Sequence, residues 1–264
     1  MSAAGDTGAA EGVGYAGGGW RRRSCCGSLI AGVMITTGCS SLSTPVLRHE
    51  TGETLGTGKI KAGVNFETSR LYPLVPATAS SATVEQNSSV YHGAFFGLYG
   101  AVGIHPRIDI QLRTYNAFAG GGWRLGAKIN LLAQGRWAVA TMFGYGRYSG
   151  KGTTTFQTAG QPEDLDQTLS AYNLDLGIPI SYRFTPVFAL FSGITVYRSG
   201  VTGSSGDSYV EATTHDLGVN LGAKFNFGRF EADAEFALLR LYDPFLNTSW
   251  RFMPYWGISG GVLF

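Results

Sequence analysis

Charge is scarce in this chain. Asp, Glu, Lys and Arg make up 14% of its 264 residues, against roughly 25% in an ordinary soluble domain. The net charge is +2 and is spread along the sequence, so there is no basic stripe of the kind that binds nucleic acid. No run of about 18 apolar residues occurs, which excludes a membrane-crossing helix in the mature chain. Cysteine is limited to Cys25, Cys26 and Cys39, all near the front. The body of the chain therefore holds no internal disulfide in any redox compartment. The four histidines, His49, His92, His105 and His215, are far apart and no cysteine accompanies them at ligand spacing. No phosphate loop or nucleophile elbow occurs. The glycines of 97–103 and 120–122 lack the strand-loop-helix setting of a nucleotide fingerprint. No cofactor or metal is expected.

What is abundant is glycine, 39 residues, and aromatics, 13%. Mean hydropathy is close to zero, at +0.04. Few charges, many aromatics and cancelling hydropathy fit a β-wall whose residues face lipid and a polar interior by turns. A soluble β-sandwich, apolar inside and polar outside, is the alternative with the same period.

The front end has a different character. Arg21-Arg22-Arg23 precedes a short apolar stretch that ends in Thr36-Thr37-Gly38-Cys39. A positive cluster, a short apolar core and small residues make a secretory signal. The end of that stretch resembles the bacterial lipobox, with Thr36 where leucine is commonest. The resemblance implies that residues 1–38 are removed and that Cys39 is the lipid attachment site. In that family a serine after the cysteine, here Ser40, goes with sorting to the outer membrane. Residues 39–56 are rich in Ser, Thr and Gly and read as a tether.

From residue 57 to 264 the chain alternates with period two. Ten segments stand out, at about 57–68, 90–104, 107–118, 122–133, 136–148, 169–183, 186–199, 211–226, 229–241 and 251–264. Most run close to the roughly 9–11 residues that a tilted strand needs to cross a bilayer. Four connections are short and built on Gly or Pro, around Pro106, Gly135, Pro186 and Gly228. The connections at 69–89, 149–168, 200–210 and 242–250 are long and polar, while the one at Gly120-Gly121 is short. Pro179 and Pro254 fall inside strands, where each removes a ladder hydrogen bond, so a bulge or a strand end is expected at both. Aromatics near strand ends, Tyr148, Tyr182, Phe184, Phe188, Tyr197 and Phe227, would form interfacial girdles.

The last strand ends in a bare aromatic, Phe264. With the alternation and the short-long rhythm of connections, this resembles the small bacterial outer-membrane β-barrel proteins. The resemblance is to a class and covers 57–264. It implies an all-β fold, a closed antiparallel up-and-down transmembrane barrel of about ten strands behind a signal peptide. It also implies a Gram-negative outer membrane, outer-membrane lipids and the barrel assembly machinery as partners, Phe264 as the assembly signal, and both termini on the periplasmic side.

The period places Lys61, Arg113, Arg124, Lys128, Lys224, Glu231, Asp233 and Glu235 on the inward face. A barrel of about ten strands lies near the size that side chains fill. Buried charges there must pair, so a salt-bridged lumen is expected, with a narrow porin-like channel for small solutes as the other outcome. A hydrolase at the extracellular rim would draw on His92, His215 and Asp216, with Ser88 or Ser89 as a nucleophile. His215, however, shares parity with the outward Leu217. An adhesive or complex-forming barrel would use the connections 69–89 and 149–168.

Overall fold

The structure is a computed structural model that describes residues 41–44, 46–73, 91–117, 120–158, 161–205, 208–241 and 251–264. Contacts divide the chain into Met1–Thr36 and Thr37–Phe264, and every described residue belongs to the second unit. The signal segment, Cys39, Ser88 and Ser89 lie outside the described residues.

Eleven strands form one antiparallel sheet: β1 (Ser41–Thr44), β2 (Ile60–Pro73), β3 (Tyr91–His105), β4 (Ile108–Ala117), β5 (Gly120–Gln134), β6 (Trp137–Thr158), β7 (Gln161–Arg183), β8 (Phe188–Ser205), β9 (Ser208–Phe227), β10 (Phe230–Leu241) and β11 (Arg251–Leu263). From β2 to β11 each strand pairs with its neighbours in chain order, and β11 returns to pair with β2. The sheet thus closes into the ten-stranded up-and-down barrel expected from the alternation.

The alternation decides which face is which. Along β10, Glu231, Asp233, Glu235, Ala237 and Leu239 are buried, while Ala232, Phe236 and Leu238 are exposed. The same inversion runs round the wall: Leu98, Leu125, Leu176, Ile194 and Leu221 face out, and Asp109, Arg124, Asp175 and Lys61 face in. A soluble sandwich would hide the first set and wet the second. An apolar exterior around a polar interior is stable only against hydrocarbon.

Two of the turns explain their glycines. Gly135 and Gly228 adopt φ of 60° and 66°, the left-handed region that a two-residue hairpin requires and a side chain resists. At this end of the barrel Trp137, Tyr182, Phe184, Phe188, Phe225 and Phe227 form an unbroken chain of ring contacts, with successive centroids between 4.7 and 6.4 Å apart. That band has the make-up of an interfacial girdle. Tyr148 and Tyr197, expected in the girdles, point inward instead, because the alternation of β6 and β8 at these positions places both rings on the lumen side.

The prolines sit where the ladder is interrupted. Between β6 and β7 the register runs from Val139↔Ile180 to Met142↔Gly177 without pairing Pro179. Trp256 on β11 and Phe264 just after it turn their backbone groups toward β2. Pro254 shares their parity, and the β11–β2 ladder stops at Gly257↔Glu67. Its missing N–H thus faces an edge that has no ladder partner.

The long connections at 149–168 and 200–210 are not loops. β6 and β7 have 22 and 23 residues and stay paired to Thr158↔Gln161. β8 and β9 stay paired to Ser205↔Ser208. A bilayer needs only about 9–11 residues per strand, so these hairpins project well beyond it. Threonine-rich sequence such as Thr153-Thr154-Thr155 reads as polar loop by composition, yet it has the β-branching that suits a strand.

Candidate functional site

The Ser/Thr/Gly-rich segment read as a tether is, from Val46 on, the packing of the lumen. Val46, Leu47, Arg48, His49, Glu50 and Thr51 are all buried. β1 pairs Thr44 with Arg70 and Ser41 with Pro73, at the end of β2 that is remote from Phe264. From there the segment descends inside the wall, from Glu67 at Leu47 to Asp109 at Leu55.

Val46 and Leu47 pack among Tyr197, Ala237, Leu239 and Tyr255, and the Tyr197 hydroxyl donates to the Val46 carbonyl at 2.7 Å. The backbone N–H of Leu47 donates to Glu67 at 3.0 Å. Arg48 lies 3.2 Å from Asp175 and 4.7 Å over the Tyr197 ring. His49 holds Asp233 through Nδ1 at 2.5 Å, and Ser259 donates to the other oxygen of Asp233 at 2.6 Å. Glu50 accepts from Lys128 at 2.8 Å and lies 3.6 Å from Arg113. Gly52 bonds Ser181 and Asn130 at 3.2 and 2.8 Å. Leu55 N–H reaches both oxygens of Asp109 at 3.1 Å. The Thr54 hydroxyl donates to the Pro106 carbonyl in the short β3–β4 turn at 2.8 Å.

Three consecutive side chains, Arg48, His49 and Glu50, so find partners on different walls, with His49 at φ 51° turning the chain between its neighbours. The wall makes room for this. Arg124 lies flat against Gly126 and Gly144, where any Cβ would overlap its guanidinium. Gly52 passes so close to the Ala138 carbonyl that a Cβ would overlap it. Arg124 grips Asp175 in two-pronged fashion, Nε at 2.8 Å and Nη2 at 2.7 Å, the strong geometry for a guanidinium and a carboxylate.

The eight charges placed inward by period two all lie inside the wall. Lys61 and Lys224 share Glu231, Lys224 at 2.8 Å. Lys128 bridges Glu50 and Asp109 at 2.8 and 3.4 Å. Asp233 and Glu235 hold His49 and the backbone ahead of it. Below Glu50 a polar cavity of about 270 Å³ opens toward the short-turn end between Glu53, Lys59, Arg183 and Lys224. Sequence reasoning missed Arg48, His49, Glu50 and Glu67. The signal available for the first three was their density, three ionisable residues in a row inside an otherwise Ser/Thr/Gly segment.

Among the described residues, the rim groups His215 and Asp216 point to opposite faces of the wall. His215 is exposed on the outer face, while Asp216, its neighbour, is buried inside and accepts from Thr214 at 3.2 Å. The backbone of His92 pairs with Arg70 near the start of β3, and its side chain lies outside the described residues, as do Ser88 and Ser89. His105 is a turn residue that accepts from the Arg107 N–H at 3.2 Å. Among the described residues no group of His, Cys, Asp and Glu could hold a metal.

A closed antiparallel wall with an apolar exterior, an aromatic band and a charged, filled interior defines a transmembrane β-barrel of the outer-membrane class. No protein-family model matches the chain, and no curated protein does. Solved structures match in fold only. The outer membrane protease OmpT of Escherichia coli is 11% identical, over 81% of this chain and 98% of that one, with a TM-score of 0.44. The translocator domain of autotransporter NalP from Neisseria meningitidis is 12% identical, over 79% and 88%, also at 0.44. Ail, the attachment invasion locus protein of Yersinia pestis, is 15% identical over 79% and 99%, at 0.39.

Proposed function

We propose that this chain is an outer-membrane lipoprotein whose barrel is closed by its own N-terminal segment, a structural element of the membrane and not an open solute channel. Outer-membrane lipids and the barrel assembly machinery, reading Phe264, are its expected partners. The observation that carries this is the burial of Val46–Thr51 in the lumen with Arg48, His49 and Glu50 paired to the wall. Solute would have to displace three charged side chains from buried partners, at about 3–5 kcal/mol for each pair broken.

Planar bilayers test this. The full chain is expected to insert without steady conductance. Deleting residues 46–55, or replacing Arg48, His49 and Glu50 with serine in the full chain, is expected to open a pore. The inward wall acids, Glu67, Asp109, Asp175, Asp216, Glu231, Asp233 and Glu235, then outnumber Lys61, Arg113, Arg124, Lys128 and Lys224, so the pore should favour cations. Steady conductance of the full chain would sink the sealed-barrel reading.

The projecting hairpins favour a second role, as a docking surface for a partner outside the membrane. Trimming 152–167 should then abolish partner binding while leaving the unfolding midpoint of the barrel unchanged.

A further inference from the structure

The course of the lumen segment runs against the expectation that both ends of the chain share one side. Phe264 exchanges backbone hydrogen bonds with Ile60 at 2.8 and 3.1 Å, at the short-turn end of β2. Ser41 pairs with Pro73 at the other end of the same strand. Thirteen steps along β2, at ~3.3 Å each and tilted by ~40°, separate the two by ~33 Å along the barrel axis. The hydrocarbon core is about 30 Å thick.

The descent in between is ordered. Arg48, Gly52 and Glu53 meet Asp175, Ser181 and Arg183 in turn down β7. Leu47, Arg48 and His49 go with Leu239, Glu235 and Asp233 in turn down β10. Two strands that run in opposite directions thus report the same course, and Glu67 and Asp109 mark its upper and lower stations on two further strands.

We infer that the mature N-terminus emerges at the long-loop face, the end opposite Phe264, so that the acyl group of Cys39 enters the leaflet beside that face. The barrel carries its own N-terminal segment across the membrane and anchors it in outer-leaflet lipid. This rests on the proposed lipoprotein character and on the short turns lying on the periplasmic side.

The experiment places an epitope in the full chain at one of three sites: after Ser40, between residues 159 and 160 at the β6–β7 tip, or in the Gly228 turn. Antibody access is read on intact and on permeabilised cells, using only proteins that keep the faster gel mobility of an unheated barrel. The epitopes after Ser40 and at 159–160 are expected to be reached on intact cells, and the Gly228 epitope only after permeabilisation. An epitope after Ser40 that behaves like the Gly228 epitope overturns the inference. Access to the Gly228 epitope alone on intact cells overturns the sidedness on which it rests, and outward emergence with it. A protease site inserted after Ser40 follows the lipid. Labelled palmitate on the chain should part from the barrel when protease is added outside the cells, and should be absent from Cys39→Ser. Label that stays on the barrel until permeabilisation, or that persists in Cys39→Ser, overturns the placement of the anchor.

Discussion

Replacing Asp175 with asparagine tests whether the lumen is dry and whether its ion pairs hold the segment in place. Asp175 serves two cations: Arg124 through two hydrogen bonds of 2.7 and 2.8 Å, and Arg48 at 3.2 Å. The side chains of all three are at most 6% exposed. Asp175→Asn keeps the volume and one acceptor but removes the only negative charge in direct contact with either guanidinium among the described ion pairs. Breaking one buried pair costs about 3–5 kcal/mol, because the partner left behind is an uncompensated buried charge. With one acceptor retained, the lower end, about 3 kcal/mol, is expected. For a chain of this size each kcal/mol shifts the midpoint by roughly 2–4 °C, so the melting point should fall by about 6–12 °C. The internal control is Glu53→Gln. Its pair with Arg183 is 47% and 32% exposed, and such pairs contribute about 1 kcal/mol at most. The readout is the temperature at which an unheated sample in detergent loses its fast mobility on a gel. Arg48→Met should cost less in the Asp175→Asn background than alone, by 1 kcal/mol or so, because it removes the orphaned charge. If Asp175→Asn and Glu53→Gln shift the midpoint equally, water reaches the lumen and the packing argument fails.

Three further outcomes follow from the same geometry. Gly52→Val forces the segment off the Ala138 carbonyl. It should cost about 1–3 kcal/mol by overpacking and produce flickering conductance in a bilayer, and a silent, fully stable variant would count against a tight fit. His215→Ala, on the outer face, should leave the thermal midpoint within about 0.5 kcal/mol of the parent. A large loss on the same gel would put His215 in contact with something inside. Pro254→Ala restores an N–H on an edge with no ladder partner and should also be nearly neutral, within about 1 kcal/mol. A marked gain in midpoint would mean that β2 can pair there after all.

The wall was legible because its signal is periodic. Ten runs of alternating residues, four tight turns and the parity of Lys61, Arg113, Glu231 or Asp233 follow from a period of two, which needs no knowledge of neighbours. Strand length beyond the membrane was not legible. Thr153 to Thr155 and Gly200 to Gly203 have no lipid-facing alternation, and pairing across a hairpin sustains them instead. The lumen segment was not legible either. An inserted chain has no face to repeat, and Arg48, His49 and Glu50 are held by Asp175, Asp233 and Lys128, which lie more than 75 positions away in sequence. The prolines mark the middle ground, since the sequence predicts an interruption at Pro179 and Pro254 but not that one is a skipped register and the other an open edge.

The place of the lumen segment in chain order has a consequence for assembly. Val46–Leu55 precedes β2, and the ring is completed when β11 meets β2 over a short ladder, Lys61–Glu67 against Gly257–Leu263. Pushing a chain of charged residues through a finished ring would strip Arg48, His49 and Glu50 of water before their partners were in reach. A sheet that is still open can instead curl round a segment already laid against its inner surface, with each new strand adding one more partner. Thr68 marks where that curling stops: its hydroxyl bonds both backbone groups of Trp256, and above it the edge of β2 is taken by β1. First strand and last strand thus compete for one edge, and the N-terminal one occupies the upper part of it. The barrel is wound on its own spindle and locked by the strand that arrives last.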